Sequence, residues 1–216
     1  MKKTTVIFDL DGTLLYTIED LTDGVNYAMD KFGYPKHTVE EVTEFVGNGI
    51  RNLIERSVPG GAEDENFTRV FDAFRSYYSE HCMVKTRPYE GIPELLKALR
   101  EKGVKTGIVS NKHDGAVKRL SEKYFGDNIS IAVGEREGVR RKPAPDSLYS
   151  ILKELGSEIS ESVYVGDSDV DIKTAANAEI DSVIVDWGFR SREFLIESGA
   201  ELIISNPLEL LEEFEF

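Results

Sequence analysis

The chain has 216 residues, of which 40% are hydrophobic and 31% are charged, and its formal net charge at pH 7 is −14, with a pI near 4.7. This composition is typical of a soluble globular protein, and the length allows one ordinary domain plus a smaller one. The strong negative charge argues against partners such as nucleic acid or an anionic membrane surface.

Cysteine content and hydropathy indicate the compartment. The single cysteine, Cys82, cannot form an intramolecular disulfide and fits a reducing environment. No apolar run approaches the ~20 residues of a membrane span, and the N-terminus lacks the apolar region of a signal peptide. We therefore expect a cytoplasmic protein that binds neither nucleic acid nor membrane. Its assembly, as a monomer or a homodimer, is left open.

The first predicted element is a short buried strand, Val6 to Phe8, which ends in two acids and a glycine. Residues i and i+2 of a strand point the same way, so Asp9 and Asp11 would crowd each other in a regular strand. Gly12 lets the backbone turn and presents both acids at the strand's carboxyl end, where open α/β sheets bind ligands. A solvated Asp-Gly turn is the alternative. A charge against an apolar strand nevertheless needs a partner, and Mg²⁺ would suit it.

The next segment, residues 16–85, shows helical patterns and no strand pattern. Thr38 and Glu41 have the spacing of a capping box at one of the predicted helix starts. The segment is too long for an ordinary loop, so we predict a helical cap domain, 16–85, inserted into a core domain formed by 1–15 and 86–216. The predicted helices are Ile18–Phe32, a short one through Phe45, Ile50–Val58 and Asp64–His81.

From Tyr89 onward, short apolar strands alternate with helices. This alternation predicts an α/β fold with a doubly wound, mostly parallel Rossmann-like sheet that has helices on both faces. The predicted strands are Val104–Val109, Ile129–Val133, Ser162–Val165, Ser182–Val185 and Leu202–Ile204, followed by an acidic helix, Pro207–Phe214.

Two groups of polar residues in this region could bind a phosphate. Ser110 and Asn111 directly follow a predicted strand, where a hydroxyl and backbone N–H groups can donate to phosphate oxygens. Taken alone, this signal is weak and favours helix capping over phosphate binding. Lys142 directly precedes Pro143 in a rigid turn that could hold its charge against a phosphate. The neighbouring Arg140 and Arg141 are expected at the surface.

A cluster of acids follows the strand Ser162–Val165. Asp167 and Asp171 lie at the strand's end, and the run is no EF-hand because Ile172 stands where that loop needs glycine. Together with the acids of the first strand they predict a metal site. Asp169 could equally cap a helix and is left out of it.

Taken together, these motifs resemble the four signatures of the haloacid dehalogenase superfamily in the form that its phosphatases carry. Within the superfamily the chain is similar to the phosphoglycolate phosphatases. Tyr16 departs from their pattern, because such enzymes often have an acid in this region, and this leaves the substrate open. The signatures are Asp9-x-Asp11-Gly12-Thr13, Ser110, Lys142 and Gly166-Asp167 with Asp171, and the closer likeness rests on Val46-Gly47-Asn48-Gly49, Ser110-Asn111-Lys112 and Trp187-Gly188-Phe189.

The resemblance implies a phosphatase that hydrolyses a small anionic phosphate monoester, similar to phosphoglycolate, through an aspartyl-phosphate. Asp9 would be the nucleophile and Asp11 the general acid and base. The implied cofactor is Mg²⁺, held by Asp9, the Asp11 backbone carbonyl and Asp167, with Asp171 as a further ligand or an orienting group. The implied phosphate-binding residues are Ser110, Asn111 and Lys142.

Arg51 is the predicted substrate contact in the cap. It follows Gly47-Asn48-Gly49 at a predicted helix start, where its guanidinium could bind a carboxylate in a bidentate manner. A solvated surface charge explains Arg51 equally well. Whether His113, near the Ser110 strand end, contacts substrate also stays open.

Other functions remain as alternatives. A phosphomutase or a pyrophosphatase of the same superfamily could share the phosphoryl-transfer residues. A non-catalytic phospho-receiver module uses a phosphorylated Asp, a hydroxyl and a Lys on a similar sheet, but it needs no helical insertion of this size. A dehalogenase is disfavoured because attack on carbon needs neither a metal nor a second acid such as Asp11.

Overall fold

The structure, a computed structural model, describes residues 2–47 and 49–216. The chain divides into two compact units. One contains the residues up to Leu15 together with Pro88–Phe216, and the other contains Tyr16–Arg87. The core domain is predicted to resume at residue 86, and in the structure the first unit resumes at Pro88.

The first unit is built on a six-stranded sheet in which every strand pair is parallel. The strands are β1 (Thr5–Phe8), β2 (Leu15–Tyr16), β3 (Arg87–Pro88), β4 (Lys105–His113), β5 (Ile131–Glu135), β6 (Ser162–Gly166), β7 (Asp181–Val185) and β8 (Ile203–Ile204), with β2 and β3 forming a separate two-stranded sheet. The order in the six-stranded sheet is β5-β4-β1-β6-β7-β8, which confirms the predicted α/β fold with a mostly parallel sheet.

Helices follow the strands of this unit and cover the sheet. Strand β1 is buried along its whole length, and its Ile7 packs in one core cluster with Tyr164, Ile151 and Ala175. A Cβ at Gly107 of β4 would lie 2.7 Å from Ile151 Cδ1, so a larger residue there would require the Ile151 side chain to shift. The helices are α5 (Ile92–Glu101), α6 (Asp114–Phe125), α7 (Asp146–Leu155), α8 (Asp169–Ala178), α9 (Arg192–Glu197) and α10 (Leu210–Glu213).

The second unit is helical. It contains α1 (Ile18–Lys31), α2 (Val39–Phe45), α3 (Ile50–Ser57) and α4 (Phe67–His81). The predicted capping box at the start of α2 is present, since the Glu41 N–H donates to Thr38 Oγ1 at 3.2 Å and the Thr38 N–H donates to Glu41 Oε2 at 2.8 Å. Gly24 lies where α1 meets α4, because a Cβ there would approach the Phe74 ring to 3.0 Å.

A buried acid connects the two ends of the helical unit. Asp20 of α1 is 2% exposed. Its carboxylate accepts backbone N–H bonds from Val84, Lys85 and Thr86 at 2.9–3.2 Å. Three donors satisfy most of its hydrogen-bonding capacity, so the beginning of α1 is fixed to the segment that precedes β3.

Several element ends differ from the prediction. The strand predicted to end at Val109 continues to His113, with a register shift against β5 in between, so Ser110 and Asn111 lie within β4. Helix α4 begins three residues after the predicted Asp64, because the Asp64 carboxylate accepts the Asn66 N–H at 2.8 Å in a local turn.

The remaining differences are small. Strand β5 begins two residues later than predicted, after a 3-10 turn at Gly126–Asn128. The predicted C-terminal helix is a 3-10 turn, Pro207–Glu209, followed by the short α10. Within residues 2–47 and 49–216, none of the helices is both long and apolar enough to span a bilayer.

Candidate active site

The predicted site residues of the first unit meet at the carboxyl ends of its three central strands. Strand β1 lies between β4 and β6, so their carboxyl ends adjoin. Asp9 follows β1, and its N–H donates to the Val165 carbonyl of β6 at 2.8 Å. Carboxylate oxygens of Asp9, Asp167 and Asp171 lie within 4.8 Å of one another, and all three residues are buried.

Lys142 lies among these acids. Its Nζ donates to Asp9 Oδ1 at 2.7 Å and to Asp171 Oδ1 at 2.8 Å, and its side chain is 4% exposed. The Tyr164 hydroxyl, 3.1 Å from the same Nζ, donates to Asp171 Oδ1 at 2.7 Å. The ammonium is therefore held at one point, between the acid of β1 and the acid of α8.

Asn111 fixes the backbone that carries Lys142. Its Nδ2 donates to the Lys142 carbonyl at 3.1 Å, and its Oδ1 accepts the Lys142 N–H at 2.9 Å. Both polar atoms of the amide are thus engaged with the main chain. This geometry favours a role for Asn111 in positioning Lys142, whereas its predicted contact with a phosphate stays a prediction.

Asp167 occupies a space that neighbouring glycines leave open. Its Oδ2 accepts the Phe189 N–H at 2.8 Å, and its Oδ1 accepts the Thr13 hydroxyl at 3.4 Å. A Cβ added at Gly12 or at Gly188 would collide with the Asp167 carboxylate. Gly12 also has a φ of +87°, which L side chains rarely adopt. The glycine after Asp11 therefore serves both the turn and the approach of Asp167.

Burial and like charges shift the pKa values of these acids. Burial, with the nearby charges of Asp171 and Asp11, raises the pKa of Asp9 from 3.8 to about 7, against the opposing effect of Lys142. Burial and the charges of Asp171 and Asp9 also raise the pKa of Asp167 well above its ordinary value. For Asp171, burial is outweighed by the Lys142 ammonium and by hydrogen bonds, so its pKa is lowered.

Asp11 has its own cation. Lys112 Nζ donates to Asp11 Oδ1 at 2.8 Å and to Oδ2 at 3.0 Å. The sequence prediction did not place Lys112 in the site. No local signal pointed to it, because the predicted strand ends at Val109, whereas β4 continues to His113 and so contains Lys112.

The charges of the site fit a hard divalent cation. Four carboxylates, those of Asp9, Asp11, Asp167 and Asp171, meet two ammonium groups, those of Lys112 and Lys142, which leaves two negative charges uncompensated when all are ionised. Burial first, and then this excess of negative charge, raise the pKa values of Asp9 and Asp167. Carboxylate oxygens are the ligands that Mg²⁺ prefers, so the donor set fits the predicted cofactor.

The other predicted residues lie as follows. Ser110 is buried in β4, and its hydroxyl accepts the Lys112 N–H at 3.2 Å. Asp169, which was left out of the predicted site, pairs with Lys173 at 2.7 Å. His113 accepts the Gly115 N–H at 3.2 Å and so caps α6.

The predicted cap contact belongs to the helical unit. Arg51 lies on α3, is exposed, and has its guanidinium 4.9 Å from the centre of the Phe67 ring. The preceding predicted turn includes Asn48, which lies outside the described residues. Arg51 therefore stays a predicted substrate contact.

Comparison with known proteins identifies relatives of this chain. The family model described as haloacid dehalogenase-like hydrolase matches residues 6–185. The phosphoglycolate phosphatase of Aquifex aeolicus is 30% identical over 185 residues, which cover 85% of each chain. The N-acetylmuramic acid 6-phosphate phosphatase of Pseudomonas aeruginosa is 28% identical over 214 residues, which cover 98% of this chain and 95% of that protein.

A solved structure agrees with these relatives. It is the crystal structure of a candidate phosphoglycolate phosphatase from Lactobacillus delbrueckii subsp. bulgaricus, which superposes with a TM-score of 0.94 at 39% identity and covers 100% of this chain and 99% of its own. These matches confirm the resemblance that the sequence motifs indicate.

Proposed function

The chain belongs to the haloacid dehalogenase-like hydrolases and is a phosphoric monoester hydrolase, and on this premise we propose its reaction and substrate class. The proposed reaction is the Mg²⁺-dependent hydrolysis of a small phosphate monoester similar to phosphoglycolate. It passes through an aspartyl-phosphate formed on Asp9.

One observation carries the proposal, namely the buried contact of Lys142 with both Asp9 and Asp171 beside Asp167. Burying this many charges is expensive, and apolar residues would make a more stable core. An excess of acids around one lysine instead supports a site that binds a cation and a phosphoryl group.

Asp9 and Asp11 have the separate roles that a double displacement needs. The Asp9 carboxylate attacks phosphorus and needs no base when it is ionised, while Lys142 fixes its Oδ1 at 2.7 Å and so orients it. Asp11 donates a proton to the leaving alkoxide and later accepts one from the attacking water. Asp11 is the less buried of the two, with 19% of its side chain exposed against 10% for Asp9, which supports its access to the leaving group.

The metal and the phosphate have their own proposed ligands. When bound, Mg²⁺ would lower the repulsion between the carboxylate nucleophile and the phosphate dianion. Asp9, the Asp11 carbonyl and Asp167 would hold it, with Asp171 orienting Lys142 and the loop after β6. The Ser110 hydroxyl and the Lys142 ammonium would bind the phosphoryl oxygens, and Asn111 would keep Lys142 in place through its backbone.

The names of the relatives support a carboxylate-bearing substrate. Phosphoglycolate and N-acetylmuramic acid 6-phosphate differ in size, but each carries a carboxylate besides the phosphate. Arg51 is exposed and has no carboxylate partner within the described part of the chain, which supports it as the residue that recognises this group.

The proposal is tested by phosphate release from a panel of monoesters, including 2-phosphoglycolate and an aryl phosphate, with Mg²⁺ present. Asp9→Asn should abolish turnover of every ester. Asp169→Asn is the matched control, because Asp169 lies in the same acidic run but pairs with Lys173, and it should retain activity.

Three results would contradict the proposal. An active Asp9→Asn enzyme would exclude Asp9 as the nucleophile. Transfer of the phosphoryl group within the substrate, without release of phosphate, would make the protein a mutase. A phosphorylated protein that persists without turnover would make it a receiver module.

A further inference from the structure

Asp11 is held by a lysine that the proposed roles do not use. Lys112 donates to both oxygens of the Asp11 carboxylate, at 2.8 Å and 3.0 Å. The two residues are 101 positions apart in the sequence. They meet because β1 and β4 are neighbours in the sheet and each residue lies near the carboxyl end of its strand.

Lys112 is fixed at both its backbone and its side chain. Its side chain is 6% exposed, and its N–H donates to the Ser110 hydroxyl at 3.2 Å. The adjacent β5 has Gly134 at this level, and a Cβ there would collide with the Lys112 carbonyl oxygen. A lysine buried this way loses its hydration, so the protein holds a cation at this point at a cost in stability.

We propose that Lys112 is a positioning residue that orients the Asp11 carboxylate for its two proton transfers. A carboxylate on a single rotatable bond can turn, whereas two hydrogen bonds from one fixed ammonium hold both of its oxygens. Proton transfer needs the acid within hydrogen-bond reach of the reacting oxygen, so a loss of orientation slows the reaction. The inference rests on the proposed function, because it assumes that Asp11 is the acid and base.

The two half-reactions depend on Asp11 differently. In the first, a bond forms between an Asp9 oxygen and phosphorus, the bond from phosphorus to the leaving oxygen breaks, and Asp11 gives its proton to that oxygen. In the second, water attacks phosphorus, the bond to Asp9 breaks, and Asp11 accepts a proton from the water. An aryl phosphate has a stable leaving phenolate, so it needs Asp11 only in the second half.

The test is Lys112→Met, which removes the ammonium and keeps a side chain of similar length. With 4-nitrophenyl phosphate, rapid mixing should show a burst of nitrophenolate equal to the enzyme concentration. The steady-state kcat should then fall about 100-fold, within the usual contribution of acid–base catalysis. KM should fall with it, so kcat/KM for this ester should change little. For 2-phosphoglycolate, kcat/KM itself should fall by a similar factor.

Two further variants serve as controls. Lys112→Arg keeps the charge and two donors and should recover most of the rate. Lys118→Met removes another lysine that is paired with an aspartate, since Lys118 pairs with Asp114 at 2.7 Å on α6. In contrast to Lys112, its side chain is 60% exposed. It should behave as the unaltered enzyme on both esters.

An equal loss of kcat/KM on both esters without a burst, or no loss at all, would overturn the role of Lys112. The proposed function fails separately, because it predicts that Asp9→Asn is inactive whatever Lys112 does. If Lys112→Met does not fold, Lys112→Gln is combined with Asp11→Asn. This double variant should be no slower than Asp11→Asn alone, and an additive loss would contradict the inference.

Discussion

Each of the two units buries a carboxylate, and the two are held in opposite ways. Asp20 of the helical unit accepts the backbone N–H groups of three residues. Asp9 of the sheet unit is bound by Lys142 and has other acids as close neighbours. Burial is similar in both, so burial alone does not mark a functional acid. The difference lies in the neighbours, because hydrogen-bond donors satisfy the charge of Asp20, whereas the acids beside Asp9 add negative charge that the lysine does not compensate.

The largest expected effect follows from the uncompensated charge at Asp9. Removing the metal with a chelator should abolish activity, and Mg²⁺ should restore it. Ca²⁺ should restore little, because it is larger and its coordination is looser. Full phosphatase activity in excess chelator would contradict the assignment of Asp167 to a metal site. It would also mean that Asp9, like Asp20, needs no metal ion to compensate its charge.

The second prediction concerns the stability of the metal-free protein against pH. The pKa of Asp9 is raised from 3.8 to about 7, so between these values the folded protein binds a proton that the unfolded chain has released. The Asp9 contribution therefore destabilises the fold as pH rises through this window, by up to about 4 kcal/mol. Urea unfolding of metal-free protein between pH 4 and pH 8 should show a smaller loss for Asp9→Asn.

Added Mg²⁺ provides the control for this experiment. At pH 8 it should stabilise the unaltered protein more than Asp9→Asn, because it binds the ionised carboxylate. Parallel stability curves for the two proteins across this range would show that Asp9 is not strained by its neighbours.

The third prediction concerns Asp20, which should matter for stability and not for chemistry. Asp20→Asn replaces one acceptor oxygen by a donor that faces other donors. It should lower the free energy of unfolding by about 2–3 kcal/mol, as for a lost hydrogen bond to a buried charge. Phosphatase activity per folded molecule should be retained. Loss of activity without loss of stability would place Asp20 in the same functional class as Asp9.

The smallest expected effect is at Arg51. If it recognises a carboxylate, Arg51→Ala should reduce kcat/KM for 2-phosphoglycolate by a factor that corresponds to about 1–3 kcal/mol, and it should leave kcat/KM for an aryl phosphate unchanged. Arg56→Ala is a matched control on the same helix, because Arg56 donates to the Phe45 carbonyl at 2.8 Å. An equal effect on both esters, or none, would show that Arg51 is a solvated surface charge that does not recognise the substrate carboxylate.

The fold could be predicted because its signals are local. The apolar strands, the capping box at Thr38 and the glycines after helices all act within a few residues. Strand ends depended on more distant contacts. The polar run after Val109 has no strand pattern of its own, yet it extends β4 because β5 pairs with it as far as His113.

The site could be predicted in part for the same reason. Asp9, Asp167 and Lys142 lie in short motifs at strand ends, and the structure brings them together. Lys112 donates to Asp11 across 101 positions of the sequence, and Asn111 is hydrogen-bonded to the Lys142 backbone across 31 positions. Such pairs depend on which strands are neighbours, and no local pattern specifies this.

Chemical trapping of phosphorylated Asp9 tests the aspartyl-phosphate mechanism most directly. Enzyme mixed with 4-nitrophenyl phosphate and Mg²⁺ is quenched in acid, treated with borohydride to reduce any acyl phosphate to an alcohol, and mapped by peptide mass spectrometry. We predict reduction at Asp9 alone, increased in Lys112→Met because its second half-reaction is slow, and none in Asp9→Asn. An unmodified Asp9 during rapid turnover, or a label on another residue, would exclude Asp9 as the nucleophile.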